Sequence, residues 1–139
     1  MKNILVIEFD GGCRPTNPGN RYGSFQVTRD QIEILRADRK QLGWGTNNEA
    51  EFETLILALT DLKTSLVYDG LEPDDSHVIM VTDSTIVLNR IKGLNQNRSG
   101  EPQKRMFLLA RRCLNLLKAF HSWEIMWESR KENVARFGH

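Results

Sequence analysis

Three carboxylates stand where regular elements of the chain begin or end. Asp10 closes the apolar run ILVIEF and is followed at once by Gly11 and Gly12. Asp83 closes a second run, HVIMVT, and Glu51 lies just inside the amphipathic stretch that follows TNN. A carboxylate at a strand end is held by a rigid element while it faces the space beyond the sheet. If the two runs are neighbouring strands, the three acids converge, and clustered anions repel one another unless cations bind between them. Hard carboxylate oxygens suit Mg²⁺ or Mn²⁺. Two such ions can activate a water and stabilise a leaving oxygen in phosphodiester cleavage. The plainer reading of any one of these acids is a strand cap or the first residue of a turn. Their recurrence at three element ends weakens it.

Periodicity supplies the elements that must position these acids. Ile4 to Asp10 alternates as a strand with apolar residues on both faces, which suits a central place in a sheet. Gly11 to Arg21 reads as a loop, and Tyr22 to Thr28 and Gln31 to Gln41 read as two strands joined tightly around Arg29 and Asp30. Asn48 to about Ser65 is predicted helical, with Phe52, Leu55, Leu59, Leu62 and Leu66 on one face. A polar loop, DGLEPDDS, leads to a buried strand at His77 to Asp83, and Ser84 to Lys92 is a short helix stopped by Gly93. Leu94 to Glu101 is a polar loop. Pro102 to Phe120 is a long helix with Met106, Leu109, Cys113, Leu116 and Phe120 on its apolar face. Trp123 to Glu128 alternates as a last strand, and Asn133 begins a final helix. The order β-β-β-α-β-α-α-β predicts an α/β domain with a mixed sheet whose first three strands are antiparallel.

The 139 residues fit one domain, 1–139, with no repeats or interdomain linkers. Cys13 and Cys113 form neither a zinc pattern nor a disulfide framework, and the three histidines lack metal-ligand spacing. No stretch approaches the ~18 apolar residues of a membrane span, and the opening MKNILVIEFDGG is a poor signal peptide. These features lead to the expectation of a cytoplasmic protein, monomeric and without a membrane partner. Net charge is +1, but it is unevenly spread. Residues 1–83 hold 8 Lys/Arg against 14 Asp/Glu, and residues 84–139 hold 11 against 4. An acidic half can hold metal ions and a basic half phosphates, although uneven charge alone does not require either.

Four motifs, in register from about residue 3 to 133, resemble the type 1 ribonuclease H family. FDGGCRPTNPGNRYGSF is similar to its opening Asp-Gly-Gly/Ser-Cys, Asn-Pro-Gly and Tyr-Gly pattern. TNNEAEF resembles its Thr-Asn-Asn-x-x-Glu segment, and VTDSTIVLNRIKG resembles its Thr-Asp-Ser strand–helix junction. WESRKEN resembles the approach to its last motif, where Arg-x-x-Asn precedes a helix. The resemblance implies a five-stranded mixed sheet flanked by helices. It also implies two-metal hydrolysis, with Mg²⁺ or Mn²⁺, of the RNA strand of an RNA–DNA hybrid. Asp10, Glu51 and Asp83 match three of the family's four acidic ligands. Asn17, Asn47 and Asn48 match positions that touch the hybrid's minor groove, a role suited to amides, which both donate to and accept from 2′-hydroxyls. Thr46 matches a phosphate-contacting position, and Cys13 sits where the family often has Cys, as packing or a backbone contact. Asn and Thr at a loop–helix boundary are also ordinary caps.

The chain departs from the family in three places. CRPTNPG has one extra residue before Asn-Pro-Gly, and the Glu51–Asp83 connection is long. The fourth acid, four residues after the Asn of Arg-x-x-Asn, is here Phe137. Asn133 can stand in with an amide oxygen, although N-capping is its more ordinary role. His139 can offer an imidazole, but on a continuing helix it would lie about 200° away from the family position. Asn133 is therefore placed ahead of His139 as the candidate fourth catalytic metal ligand, with water as a third choice. The family's basic protrusion is reduced to GLNQNRSGEP. Lys104, Arg105, Arg111, Arg112 and Lys118 on the next helix can replace it or simply form a solvated face. Two other functions stay open: a hybrid-binding module that has lost cleavage, and a DNA-acting integrase or resolvase on the same fold.

Overall fold

The structure is a computed structural model that describes residues 3–93 and 101–139. Its elements run β1 (Asn3–Arg14), β2 (Gly19–Arg29), β3 (Ile32–Gly45), α1 (Asn47–Tyr68), β4 (Ser76–Thr82), α2 (Thr85–Ile91), α3 (Glu101–Leu117), β5 (Ser122–Trp127) and α4 (Arg130–Phe137). The sheet order is β3-β2-β1-β4-β5. β1 to β3 are antiparallel, while β4 and β5 run parallel to β1 and to each other. The expected five-stranded mixed sheet is what forms. The segment 94–100, expected to be polar loop and most of the shortened protrusion, lies outside the described residues.

β1 is the central strand, as its apolar faces suggest, and Leu5, Ile7 and Phe9 are wholly buried. It runs longer than expected, because pairing with β2 continues to Arg14↔Asn20 and turns most of the anticipated loop into ladder. The β2–β3 turn is Asp30–Gln31, one residue later than expected, and both residues have positive φ. Two left-handed residues match the right-handed twist of the strands they join. β3 is an edge strand, bulged and largely exposed.

α1 packs on β1 and β2 and against α3, and all five residues of its expected stripe are buried. Thr46 caps it in a reciprocal box with Glu49. The apolar face of α3 is offset from the expectation. Met106, Ala110, Cys113, Leu117 and Phe120 are the buried set, with Leu109 and Leu116 packed at its margin. Burial pushes the Cys113 thiol up to about 12, so it is an inert core group. α3 stops at Leu117 rather than Phe120. α4 is fastened to the sheet by Arg136, which pairs with Glu8 of β1 at 2.6 Å and with Glu128. Among the described residues no helix is long and apolar enough to cross a membrane.

Candidate active site

The parallel pairing of β1 with β4 brings Asp10 and Asp83 together. Glu8 lies opposite Val81, so two residues further on the strands deliver both aspartates at the same level. Glu51 comes from the first turns of α1, whose start crosses β1 at Gly11. A Cβ on Gly11 would meet the Ala50 carbonyl carbon at 2.5 Å, so only glycine allows this approach. One oxygen from each of Asp10, Glu51 and Asp83 falls within 4.8 Å of the others.

The electrostatics are those of crowded, partly buried anions. Burial raises the Glu51 carboxyl well above its ordinary range, and the neighbouring Asp10 and Asp83 raise it further. Glu51 Oε2 is buried with no hydrogen-bond partner. Burial, then Asp10, raises Asp83, while Asn133 and Arg130 draw it partly back. Three oxygen donors within one ion's reach, one of them orphaned, fit a hard divalent cation such as Mg²⁺ or Mn²⁺. A cleft of roughly 380 Å³ opens over them, lined also by Cys13, Tyr22, Asn47, Asn48, Arg130 and His139.

The other matched positions form a connected rim. Cys13 Sγ contacts the Thr16 carbonyl at 3.0 Å and Asn47 Oδ1 at 3.1 Å, and Asn17 Oδ1 accepts from the Asn47 N–H at 3.1 Å. The Asn-Pro-Gly loop is thus tied to the start of α1. A smaller hollow of roughly 220 Å³ lies between Asn17, Thr46, Asn48 and Arg105 of α3. One exposed cation of the basic helix therefore stands beside the rim. Arg111 instead lies over the Phe107 ring at 5.9 Å.

The two stand-ins for the fourth acid are placed differently from the expectation. Ser129, not Asn133, is the N-cap of α4, so Asn133 sits one turn inside the helix. It is fully buried, its Oδ1 accepts from Arg136 at 3.3 Å, and its Nδ2 has no hydrogen bond. Asn133 thus lies buried beside Asp83 and is not among the residues that line the cleft. His139 does reach the acids: its Nδ1 lies 2.9 Å from Asp10 Oδ2. A 200° offset holds only for a continuing helix, whereas Gly138 at φ 76° ends α4 and swings the next residue back. Phe137 is buried packing. Ser24, directly opposite Asp10 in the β1–β2 ladder, also joins the site through its 2.7 Å contact with His139 Nε2. No motif assigns Ser24 a role, and its place opposite Asp10 follows from the β1–β2 register, which closes across the turn at residues 15–18.

No protein-family model matches the chain. The bifunctional protein Rv2228c of Mycobacterium tuberculosis is 32% identical over 90 residues, 64% of this chain and 22% of that protein. An uncharacterized protein of Mycobacterium bovis, Mb2253c, matches to the same extent. The chain thus spans 22% of the length of these curated relatives. Among solved structures, the N-terminal RNase H domain of Rv2228c from Mycobacterium tuberculosis superposes with a TM-score of 0.75 at 27% identity, covering 96% of this chain and 95% of that one. LC11-RNase H1, isolated from compost by a metagenomic approach and solved in complex with an RNA/DNA hybrid, gives 0.72 at 26%, covering 96% and 91%. RNase H1 from Halobacterium salinarum gives 0.75 at 24%, covering 94% and 89%, a likeness of fold. The sheet order, the acidic cluster at the ends of its adjacent parallel strands, and these likenesses show a ribonuclease H-like fold and support kinship with the ribonuclease H-like family.

Proposed function

We propose that residues 1–139 form a single-domain, monomeric, cytoplasmic endoribonuclease that hydrolyses the RNA strand of RNA–DNA hybrids with divalent metal ions. The observation that carries this is the trio Asp10, Glu51 and Asp83, two buried and one half-buried, with one oxygen of each within 4.8 Å of the others and Glu51 Oε2 unpartnered. Asp10, Glu51 and Asp83 would hold the ions, with Asp10 shared between them and Glu51 and Asp83 on the leaving-group side, as the resemblance implies. Two Mg²⁺ or Mn²⁺ ions, when bound, supply an activated water and stabilise the leaving oxygen. The rim recognises the substrate. Asn17, Asn47 and Asn48 offer amides to 2′-hydroxyls and base edges, Thr46 contacts a phosphate, and Cys13 fixes the loop that carries Asn17. Asn133 acts on Asp83, as its buried place beside that carboxyl supports.

The second reading is a hybrid-binding module with weak or no cleavage, favoured by Phe137 at the fourth acidic position. One gel assay separates them. Labelled RNA–DNA hybrid, duplex RNA and duplex DNA are each incubated with Mg²⁺, Mn²⁺ or EDTA, beside the Asp10→Asn variant. Cleavage of the hybrid's RNA strand, dependent on metal and on Asp10, supports the enzyme. Hybrid binding without cleavage supports the module, and cutting of duplex DNA alone would sink both.

A further inference from the structure

We infer that His139 is a nitrogen ligand of the metal centre, supplied from beyond the end of α4 to the ion that Asp10 holds apart from Glu51 and Asp83. This rests on the metal-dependent reading of the site. His139 lies outside the cluster of three acids, yet its Nδ1 is 2.9 Å from Asp10 Oδ2. An ion sharing Asp10 on that side meets the ring first.

The ring is held as a ligand is held. Its side chain is 1% exposed. Tyr22 meets it edge-on at 4.9 Å between centroids, and Phe137 stacks at 6.1 Å. Arg39 donates to the Gly138 carbonyl at 2.9 Å and fixes the backbone just before it. Ser24 Oγ lies 2.7 Å from Nε2 and also accepts from the Arg39 N–H at 2.9 Å. A ligating imidazole nearly always has its second nitrogen engaged in this way. When Nδ1 is the bare ligating nitrogen, the ring proton sits on Nε2, where Ser24 Oγ accepts it. Phe137, which takes the place of the family's fourth acid, thus packs the ring that does the acid's work from another direction. A nitrogen donor also changes selectivity, because imidazole favours later transition metals over Mg²⁺.

The rival account makes His139 a counter-charge that fills the site and competes with metal. The two predict opposite signs. Mn²⁺ binding is measured by calorimetry and pulsed EPR on the full chain labelled with ¹⁵N-histidine, with and without an uncleavable 2′-O-methyl RNA–DNA hybrid. A ligand gives ¹⁵N coupling to Mn²⁺ that vanishes in His139→Ala and survives in Asn133→Ala. His139→Ala should then bind Mn²⁺ at least about 10-fold more weakly, and Ser24→Ala should fall between it and wild type, as removal of an outer partner does. His139→Asp should keep binding and shift preference toward Mg²⁺. Melting curves confirm that each variant is folded. Mn²⁺ bound without nitrogen coupling, or bound more tightly by His139→Ala, overturns the inference and leaves the acidic site intact. No Mn²⁺ binding at all overturns both.

Discussion

At the scale of single residues, burial decides the behaviour of the acids. Asp10→Asn, Glu51→Gln and Asp83→Asn should each reduce hybrid cleavage by at least about 10²-fold, the scale of losing one preorganised electrostatic group. Initial rates on a fixed hybrid check this, and a variant with wild-type rates would remove its residue from the site. The same acids set a pH dependence in the absence of metal. The folded-state carboxyls of Glu51 and Asp83 are raised, chiefly by burial. Raised groups add stability below their unfolded values, near 4.5 for Glu51 and 3.8 for Asp83, and that stability is lost as pH rises through the folded values. In EDTA the melting temperature should therefore carry a component that falls as pH rises above about 4. Glu51→Gln should flatten that fall and melt higher than wild type near neutrality. A melting profile identical to wild type would mean that Glu51 bears no such strain.

At the scale of elements, the proposed function makes the start of α1 the point where folding meets recognition. Thr46 caps the helix, and the next two residues, Asn47 and Asn48, line the cleft. Thr46→Ala should cost about 1 kcal/mol of stability by denaturant titration, because an orphan helix N–H loses its acceptor. It should also raise KM for the hybrid more than it lowers kcat, since Asn47 and Asn48 are positioned by that turn. The basic helix α3 is tested separately. Neutralising Arg105 and Arg112 together should weaken hybrid binding at all sequences. It should also flatten the log–log salt dependence by about 0.9 for each phosphate that is no longer neutralised. Arg105 is the better placed of the two, beside Asn17 and Thr46. An unchanged slope would make this a solvated face.

At the scale of the whole molecule, the uneven charge of the sequence acquires a layout. The acidic cluster lies at the junction of β1, β4 and α1, and α3, which carries the cationic residues, packs on α1 and reaches the rim at Arg105. Metal binding should therefore act on global stability. An ion that binds only the folded chain adds about 2.7 kcal/mol at a hundred times its Kd. Melting temperature should rise with Mn²⁺ in wild type and stay flat in Asp10→Asn. A rise of equal size in both would put the ion elsewhere.

Most of the elements, and the acids that cluster in the fold, are legible along the chain. Periodicity identified the strands and the α1 stripe, because alternation and the helical repeat are local properties. Four short motifs singled out Asp10, Glu51 and Asp83 before any strand had a neighbour. The tertiary structure decided what depends on pairing and on chain reversal. The parallel β1–β4 register made the three acids one site, and no local pattern encodes which strands pair. The β1–β2 register, closed across the turn at residues 15–18, set Ser24 opposite Asp10. The left-handed Gly138 overrode the helical projection that places His139 away from the acids, since a single positive φ redirects every residue after it. Asn133, favoured for its amide oxygen over an imidazole offset on a continuing helix, lies one turn inside α4, where its Oδ1 accepts from Arg136.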